Sequence, residues 1–302
     1  MARKSIGVKL SKLIQTIIRK PYRRTAVDQS TLQDITIKVN AARKKCESLS
    51  FSVPFGGYKH SDLPCSPHLN WAEVFWLDYL RSYAEPIVKL HPPGVVFSLS
   101  YMSGVLAFIN NYPAAYQTLY IAELQRLCFL ASCSSIRFEI VDIADFYGGP
   151  EKALEAVEHR YQSFMIHWPV SSDAKKHKLA SAARNITSTD PDDICTAAMR
   201  CDAMESLEQR RRFNKYGHHI QLSHLRSSLS LHIGSASGTV VQPWVGVGIL
   251  SQGKGRIISG GQWQSASLRN IEVSNLALPL SSYLQERIKS DDWSGLLSIP
   301  VD

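Results

Sequence analysis

The chain has 302 residues, a net charge of +8 at pH 7, and 44% hydrophobic and 9% aromatic residues. This composition is typical of a globular protein and excludes a disordered or fibrous chain. No apolar run approaches the roughly 18 residues that a spanning helix needs, so we expect no transmembrane segment.

The positive charge is concentrated at the N-terminus. Residues 1–27 hold eight of the 34 basic residues and no acid, and 26 basic residues then balance 26 acidic ones in the rest. We therefore divide the chain into a basic N-terminal extension, 1–27, and a single α/β domain, 28–302. A basic pI that comes from one segment gives little support for a nucleic-acid-binding core.

Residues 5–20 predict a basic amphipathic helix that ends before Pro21. Three interpretations are open for it. The helix docks on the body of the protein or on a partner, it touches an anionic membrane or RNA, or it is a transit peptide.

The next elements alternate between strand and helix. Three strands are predicted, each with period-2 or continuous apolar character, and each is followed by a helix. In chain order we predict helix 28–47, strand Leu49–Pro54, a loop to Leu69, a helix from Asn70 that stops at Pro92, strand Val95–Tyr101, helix Pro113–Ala131, strand Ile136–Val141 and helix Pro150–Ile166. This order predicts a mostly parallel, Rossmann-like sheet flanked by helices.

The second half is less regular. Residues 171–189 are polar and predict a mobile loop or a short helix, and Asp190 caps a helix that ends at Gly217. Additional strands are predicted in the C-terminal third, over 218–225, 228–233, 240–250 and 256–259, with a closing helix over 281–289.

The six cysteines show neither a C-x-x-C pair nor zinc-site spacing. We read them as reduced, mostly buried thiols, which favours a cytoplasmic protein with no metal. High-information motifs for nucleotide, zinc or acyl-transfer chemistry are missing from the sequence, and no cofactor is expected.

The segment Val53-Pro-Phe-Gly-Gly-Tyr-Lys-His-Ser-Asp62 follows the first strand, where parallel sheets bind ligands. Gly56 and Gly57 allow close approach of a ligand, beside Tyr58. Lys59 offers a cation for a phosphate or an amine for a carbonyl, and Ser61 offers a nucleophilic hydroxyl. A plain surface turn is the alternative.

Glu73 lies three residues after Asn70, which is the spacing of a capping box. The functional alternative is a carboxylate that binds a substrate amine, and one residue can serve both roles.

Later residues give weaker signals. His224 belongs to a group of four histidines for which acid–base chemistry, a metal and ordinary packing are all open. Gln242 and Trp244 lie on a glycine-containing strand that can line a ligand site. The run Arg210, Arg211 and Arg212 is either a solvated helix face or an RNA contact.

Two stretches together resemble the isocyanide (isonitrile) synthase family, which includes bacterial paerucumarin-type enzymes and the fungal dityrosine spore-wall enzyme. The first stretch is Leu49-Ser-Phe-Ser-Val-Pro-Phe-Gly-Gly-Tyr-Lys59, then Asn70-Trp-Ala-Glu73 and His91-Pro-Pro-Gly-Val95. The second is Ile220-Gln-Leu-Ser-His224, Leu231-His-Ile-Gly234 and Gln242-Pro-Trp244. The family's Ser-Asp-Gly element after the second strand is replaced by Ser100-Tyr-Met-Ser-Gly104, which lacks the Asp.

The resemblance implies a catalytic α/β domain that condenses the amine of an amino acid with the carbonyl of a sugar phosphate. It implies that Lys59 binds the phosphate or polarises the carbonyl, and that Glu73 and His224 move protons or hold the amino acid.

Two other classes stay open. A tRNA-dependent cyclodipeptide synthase would use Ser61 as nucleophile and Arg210, Arg211 and Arg212 to hold tRNA. A non-catalytic partner-binding protein would act mainly through its N-terminal helix.

Overall fold

A computed structural model describes residues 2–23, 26–57, 67–69, 71–216, 218–222, 229, 231, 254–259 and 262–267. Its elements alternate as the sequence predicts in the first half. The helices are α1 Ala2–Ile17, α2 Gln29–Lys45, α3 Trp71–Val88, α4 Val105–Ile109, α5 Ala114–Ala131, α6 Pro150–Ile166, α7 Ser172–Asn185 and α8 Pro191–Tyr216. The strands are β1 Leu49–Pro54, β2 Val95–Tyr101, β3 Ile136–Asp142, β4 Ile220–Gln221, β5 Lys254–Ser259 and β6 Gln262–Ser267.

The main sheet has four strands in the order β3-β2-β1-β4, and every neighbouring pair is parallel. The strands β5 and β6 form a separate antiparallel pair. The prediction of a mostly parallel, Rossmann-like α/β fold is therefore confirmed.

One face of the sheet carries the main hydrophobic core. The odd-numbered residues of β1 and β2 point into it, because side chains alternate along a strand. The rings of Phe51, Phe97 and Phe138 stack across three strands, with centroids 5.5 and 5.3 Å apart. Helices α1, α3 and α5 cover this face with buried apolar residues.

A second apolar cluster lies among the helices that follow β3. Buried residues of α4, α6, α7 and α8 form it, and Val105, Val157 and Ala203 are fully buried. It is held at its edge by Asp202, which accepts hydrogen bonds from Trp168 Nε1 at 2.6 Å and from Lys178 Nζ.

The N-terminal helix packs on the body of the protein. Leu13 and Ile17 belong to the main core, and the Tyr83 hydroxyl donates to the Ile17 carbonyl at 3.0 Å. The Arg19 guanidinium lies 4.1 Å from the centroid of the Tyr22 ring and donates to the Tyr83 carbonyl. This agrees with the docking interpretation of the helix, and the domain division remains a prediction.

The structure decides between the two alternatives left open for 171–189 in favour of a helix, and it corrects other details. The polar segment near 171–189 forms the 14-residue helix α7, because its buried Ala182 packs against α8. Within the described part of the strand expected over 218–225, residues 218–222, the strand is β4, and residues 223–225 lie outside the described residues. The helix α4 and the 3-10 turn Ile143–Tyr147 were not expected. The prediction for 256–259 is confirmed by β5, and β6 was missed. The calls for 240–250 and 281–289 lie outside the described residues.

The prediction that the cysteines are mostly buried is wrong for the five that the structure describes. Only Cys128 is buried; Cys195 and Cys201 are partly exposed, and Cys46 and Cys133 are exposed. Cys46 lies just beyond the end of α2, and Cys133 lies in the turn before β3, and the chain faces solvent at both places. None of the five forms a disulfide.

Candidate active site

The order in which the strands are added to the sheet reverses at β1, although all four strands are parallel. From β1 the chain moves through β2 to β3 on one side, whereas β4 pairs with the other side of β1. Such a switch point leaves a crevice beyond the carboxyl ends of the two strands, and ligands of open α/β sheets bind there. Strands β1 and β4 end side by side at this edge, since the Leu222 amide donates to the Ser52 carbonyl at 2.8 Å.

The first residues after β1 are tightly held. Gly57 has φ of +71°, and a Cβ there would lie 2.6 Å from Tyr101 Cδ2. Only glycine fits such a position without displacing the ring. Phe55 packs between Tyr101 and Trp76, with ring centroids 5.7 and 5.8 Å apart.

Glu73 is completely buried in the first turn of α3. The Tyr120 hydroxyl of α5 donates to its Oε1 at 3.4 Å. Burial and the negative charge of Glu73 raise the pKa of Tyr120 well above its usual value, so this hydroxyl keeps its proton. A carboxylate held in this way, at the crevice end of α3, is suited to bind a cation or accept a proton. The role of Glu73 as a helix cap stays a prediction, because Asn70 lies outside the described residues.

Two further polar side chains flank this contact. Trp76 follows Glu73 by three residues and Gln117 precedes Tyr120 by three, so each pair shares one helix face. The Gly104 amide donates to Gln117 Oε1 at 2.8 Å, which ties α5 to the turn after β2. Sequence reasoning missed both residues, since each looks like an ordinary member of an amphipathic helix.

The far end of the loop after β1 is anchored to α5. Glu123 accepts a hydrogen bond from the Leu69 amide at 2.9 Å, and its other oxygen lies 2.7 Å from His68 Nδ1. Gly57 and Leu69, on either side of residues 58–66, are thus both held by contacts with the body of the protein.

An acid also lies at the end of β3. Asp142 Oδ1 accepts from the amides of Ser103, at 3.0 Å, and Ala144, at 2.9 Å. Its charge and that of Asp145 add to burial in raising the pKa of Tyr101. Asp142, at the end of β3, therefore places a carboxylate against the turn after β2, where this sequence lacks the Asp of the Ser-Asp-Gly element.

The opposite face of the sheet is polar at its centre. Ser52 pairs with Ser98 in the register of β1 and β2, and both are buried. The Ser100 hydroxyl donates to Glu208 Oε1 of α8 at 3.2 Å. Parallel strands that are buried on both faces usually have continuous apolar sequences, so this serine-bearing face is a departure from the rule.

Among the predicted site residues, the structure describes Gly56 and Gly57, just after β1, and Glu73, in the first turn of α3, and all three are buried. Tyr58, Lys59, Ser61, His224, Gln242 and Trp244 lie outside the described residues. Arg210, Arg211 and Arg212 lie on the C-terminal part of α8, where the side chains are not described. The two neighbours His218 and His219 precede β4, at the opposite edge of the sheet.

Within the described ranges, no group of three or more His, Cys, Asp and Glu residues could hold a metal ion. The same part of the chain contains no helix that is both long enough and apolar enough to span a membrane.

The fold and the crevice together place the chain in the class of Rossmann-like α/β proteins. No family model and no curated protein matches it.

Among solved structures, the chain is similar to the PvcA protein of Pseudomonas aeruginosa, with a TM-score of 0.65 and 14% identity over 85% of this chain and 98% of that one. At this identity the likeness shows a shared fold. The tyrosyl-tRNA synthetase of Aeropyrum pernix matches with a TM-score of 0.37 and 12% identity, over 76% of this chain and 63% of that one. That of Archaeoglobus fulgidus, solved with L-tyrosine, gives 0.41 and 11%, over 85% and 70%.

Proposed function

We propose that the chain is a biosynthetic enzyme of the isocyanide synthase type, which condenses the amine of an amino acid with the carbonyl of a sugar phosphate. The observation that carries this proposal is the pairing of β1 with β4. The first stretch that resembles the family contains β1 and the second contains β4, so this pairing supports a site shared by the two stretches. The fold neighbour PvcA belongs to the paerucumarin type that the sequence resembles.

Chain geometry supports a shared site for the two key side chains. Lys59 is two residues beyond Gly57, and His224 is two residues beyond Leu222. Gly57 follows the carboxyl end of β1, and Leu222 follows that of the adjacent strand β4.

Each site residue then has a role. Glu73 binds the amine and takes its proton, which frees the lone pair to attack the carbonyl carbon. A C=N bond forms and water leaves, with His224 as the proton donor to the departing oxygen. Lys59 binds the phosphate or polarises the carbonyl, and Gly56 and Gly57 let the substrate approach the backbone. Tyr58, Gln242 and Trp244 line the substrate, and the Ser61 hydroxyl donates a hydrogen bond to it.

Expression of wild-type and Lys59→Ala chains in a metabolically rich host, followed by comparative mass spectrometry of extracts, tests the proposal. We expect a nitrogen-containing product that is present with the wild type and lost with the variant. Lys89→Ala, at an exposed lysine beyond α3, is the control and should keep the product. Full production by Lys59→Ala would overturn the assignment.

The same extracts separate the tRNA-dependent alternative. Product formation in a lysate should survive RNase treatment if free amino acid is the substrate. Loss of product on addition of RNase would instead indicate aminoacyl transfer from tRNA.

A further inference from the structure

His68 and Glu123 form a hydrogen-bonded pair in which the orientation of the imidazole is fixed. Glu123 Oε1 lies 2.7 Å from His68 Nδ1, and Glu123 Oε2 accepts from the Leu69 amide at 2.9 Å. A carboxylate can only accept hydrogen bonds, so the hydrogen in the first contact must come from His68 Nδ1. A neutral His68 therefore carries its proton on Nδ1, and the lone pair of its Nε2 is free to accept another.

The exposure of the two side chains suits a base and the group that orients it. The Glu123 side chain is 16% exposed, whereas that of His68 is 39% exposed. The carboxylate is thus shielded from water, which strengthens its hydrogen bond to the ring, while part of the imidazole stays accessible to a substrate. A histidine that is held through one nitrogen by a third group is the arrangement of a general base.

This pair lies against the same face of α5 as the buried Glu73. Tyr120 and Glu123 are three residues apart on α5, so their side chains share one face of the helix. The Tyr120 hydroxyl donates to Glu73 at 3.4 Å. One turn further along, Glu123 contacts His68. The oriented histidine and the carboxylate assigned to the substrate amine therefore both contact this one face.

We propose that His68 is the general base that completes formation of the C=N bond, and that Glu123 is its positioning residue. The inference rests on the proposed function and adds a further proton acceptor to Glu73 and His224. An ammonium nitrogen loses three protons on the way to an imine. Glu73 takes the first, and the second passes to the former carbonyl oxygen after the attack. His224 gives that oxygen its other proton, so that it leaves as water, and His68 Nε2 takes the third proton from the nitrogen.

Glu123→Gln separates the orientation of the ring from the anchoring of Leu69. The Leu69 amide is a donor, so the oxygen of the introduced amide must face it, and the NH2 group then faces His68 Nδ1. That nitrogen becomes an acceptor, and the proton of the neutral ring moves to Nε2, which can no longer take a proton from the substrate. Both hydrogen bonds to α5 are kept while the base is disabled.

Two further variants remove the base itself. His68→Gln keeps an N–H donor for Glu123 but has no nitrogen that accepts a proton, and His68→Ala leaves space for added imidazole. His177→Gln and Glu155→Gln, at exposed positions on α7 and α6, are matched controls. Near-UV circular dichroism checks folding, and His68→Gln carries the test if His68→Ala does not fold.

The first readout is the rate at which lysates form the product seen in wild-type extracts. We expect both His68 variants to lower this rate by about 100-fold or more, as for a lost general base, and Glu123→Gln to lower it by at least about 10-fold. Added imidazole should restore much of the rate of His68→Ala and none of that of Glu123→Gln. Both controls should match the wild type.

The second readout is the tautomer of His68, from the nitrogen chemical shifts of the ring at about pH 8.5, where histidine is ordinarily neutral. We expect the proton on Nδ1 in the wild type and on Nε2 in Glu123→Gln. A purely structural pair would not couple this switch to the reaction rate.

Wild-type rates in the His68 variants would overturn the inference and leave the proposed function standing. So would a loss in His68→Ala that imidazole does not relieve, combined with a wild-type rate in Glu123→Gln, because the pair would then serve only as an anchor. A wild-type proton on Nε2 would overturn the positioning by Glu123. Absence of the product with the wild-type chain would overturn the proposed function itself.

Discussion

The ring of Tyr101, the last residue of β2, fills the space beside Gly57 in which any other residue would place its Cβ. This contact holds the turn after β1 against the end of the neighbouring strand β2. Phe55 extends the contact to Trp76, so the backbone at the mouth of the Lys59 loop is fixed by aromatic packing.

Gly57→Ala should therefore be costly. An alanine at positive φ costs about 1–2 kcal/mol, and the clash with Tyr101 adds about 1–3 kcal/mol. Urea unfolding measures the loss. Gly148→Ala is the control, because Gly148 is also left-handed, with φ of +92°, and an added Cβ there would meet only the flexible Lys152 side chain, at 3.3 Å. Equal losses in the two variants would show that the Tyr101 contact has no energetic weight.

The Glu73–Tyr120 contact predicts energetic coupling. Tyr120→Phe removes the donor and leaves a buried carboxylate less well satisfied, which should cost about 1–3 kcal/mol of unfolding free energy. In the background of Glu73→Gln the same change should cost less, since no charge is then left behind. A double-mutant cycle from unfolding curves gives the coupling. Strictly additive losses would contradict the interaction.

His91 predicts a pH dependence of stability. Burial lowers the pKa of His91 below 6.5, and its Nε2 donates to the Glu47 carbonyl at 2.8 Å. The unfolded chain then takes up a proton at a higher pH than the folded one does. The contribution to stability is complete above about pH 6.5 and is lost as the pH falls through the lower, folded pKa.

The difference in unfolding free energy between pH 7.5 and pH 5.5 should shrink in His91→Gln, which cannot titrate. His177→Gln, at an exposed histidine on α7, should keep the wild-type difference. The assignment to His91 fails if both variants show the same pH dependence.

The packing of α1 predicts that its apolar residues stabilise the whole protein. Leu13→Ala should lower the unfolding free energy by about 2–5 kcal/mol, whereas Lys12→Ala, at an exposed position, should leave it nearly unchanged. Deletion of residues 1–24 would remove core residues, so it cannot separate a partner-binding role from a structural one. Exchange of the exposed Lys12 and Lys20 for Ala is the cleaner test of a charged contact.

Much of the sheet could be predicted because its strands have regular sequence signals. Leu49–Pro54 alternates strictly, and the helices after β1 and β3 begin with recognisable residues such as Pro150. The helix α7 was harder to predict, since its sequence is mostly polar and only a few apolar residues, among them Ala182, pack against α8. The two-residue β4 is set by pairing with Phe51 and Ser52 rather than by its own sequence.

Some residues of the candidate site could likewise be predicted from the sequence, and others could not. The glycine turn and Glu73 could be found from the sequence, because each follows a strand or opens a helix at a fixed offset. The partners of Glu73 could not, since Tyr120 reaches it only through the packing of α3 against α5. Gln117 looks like a surface residue until its hydrogen bond to the Gly104 amide is seen.

The pairing of Phe51 with Ile220 also bears on how the protein is made. Strand β4 comes from the last third of the chain, so β1 emerges from the ribosome long before this neighbour does. Until then its backbone donors and acceptors on that side form an open edge, which is prone to pair with other chains. Contacts so distant in sequence also slow folding. A nascent or truncated chain that ends before residue 218 should thus depend on chaperones more than the full-length protein does.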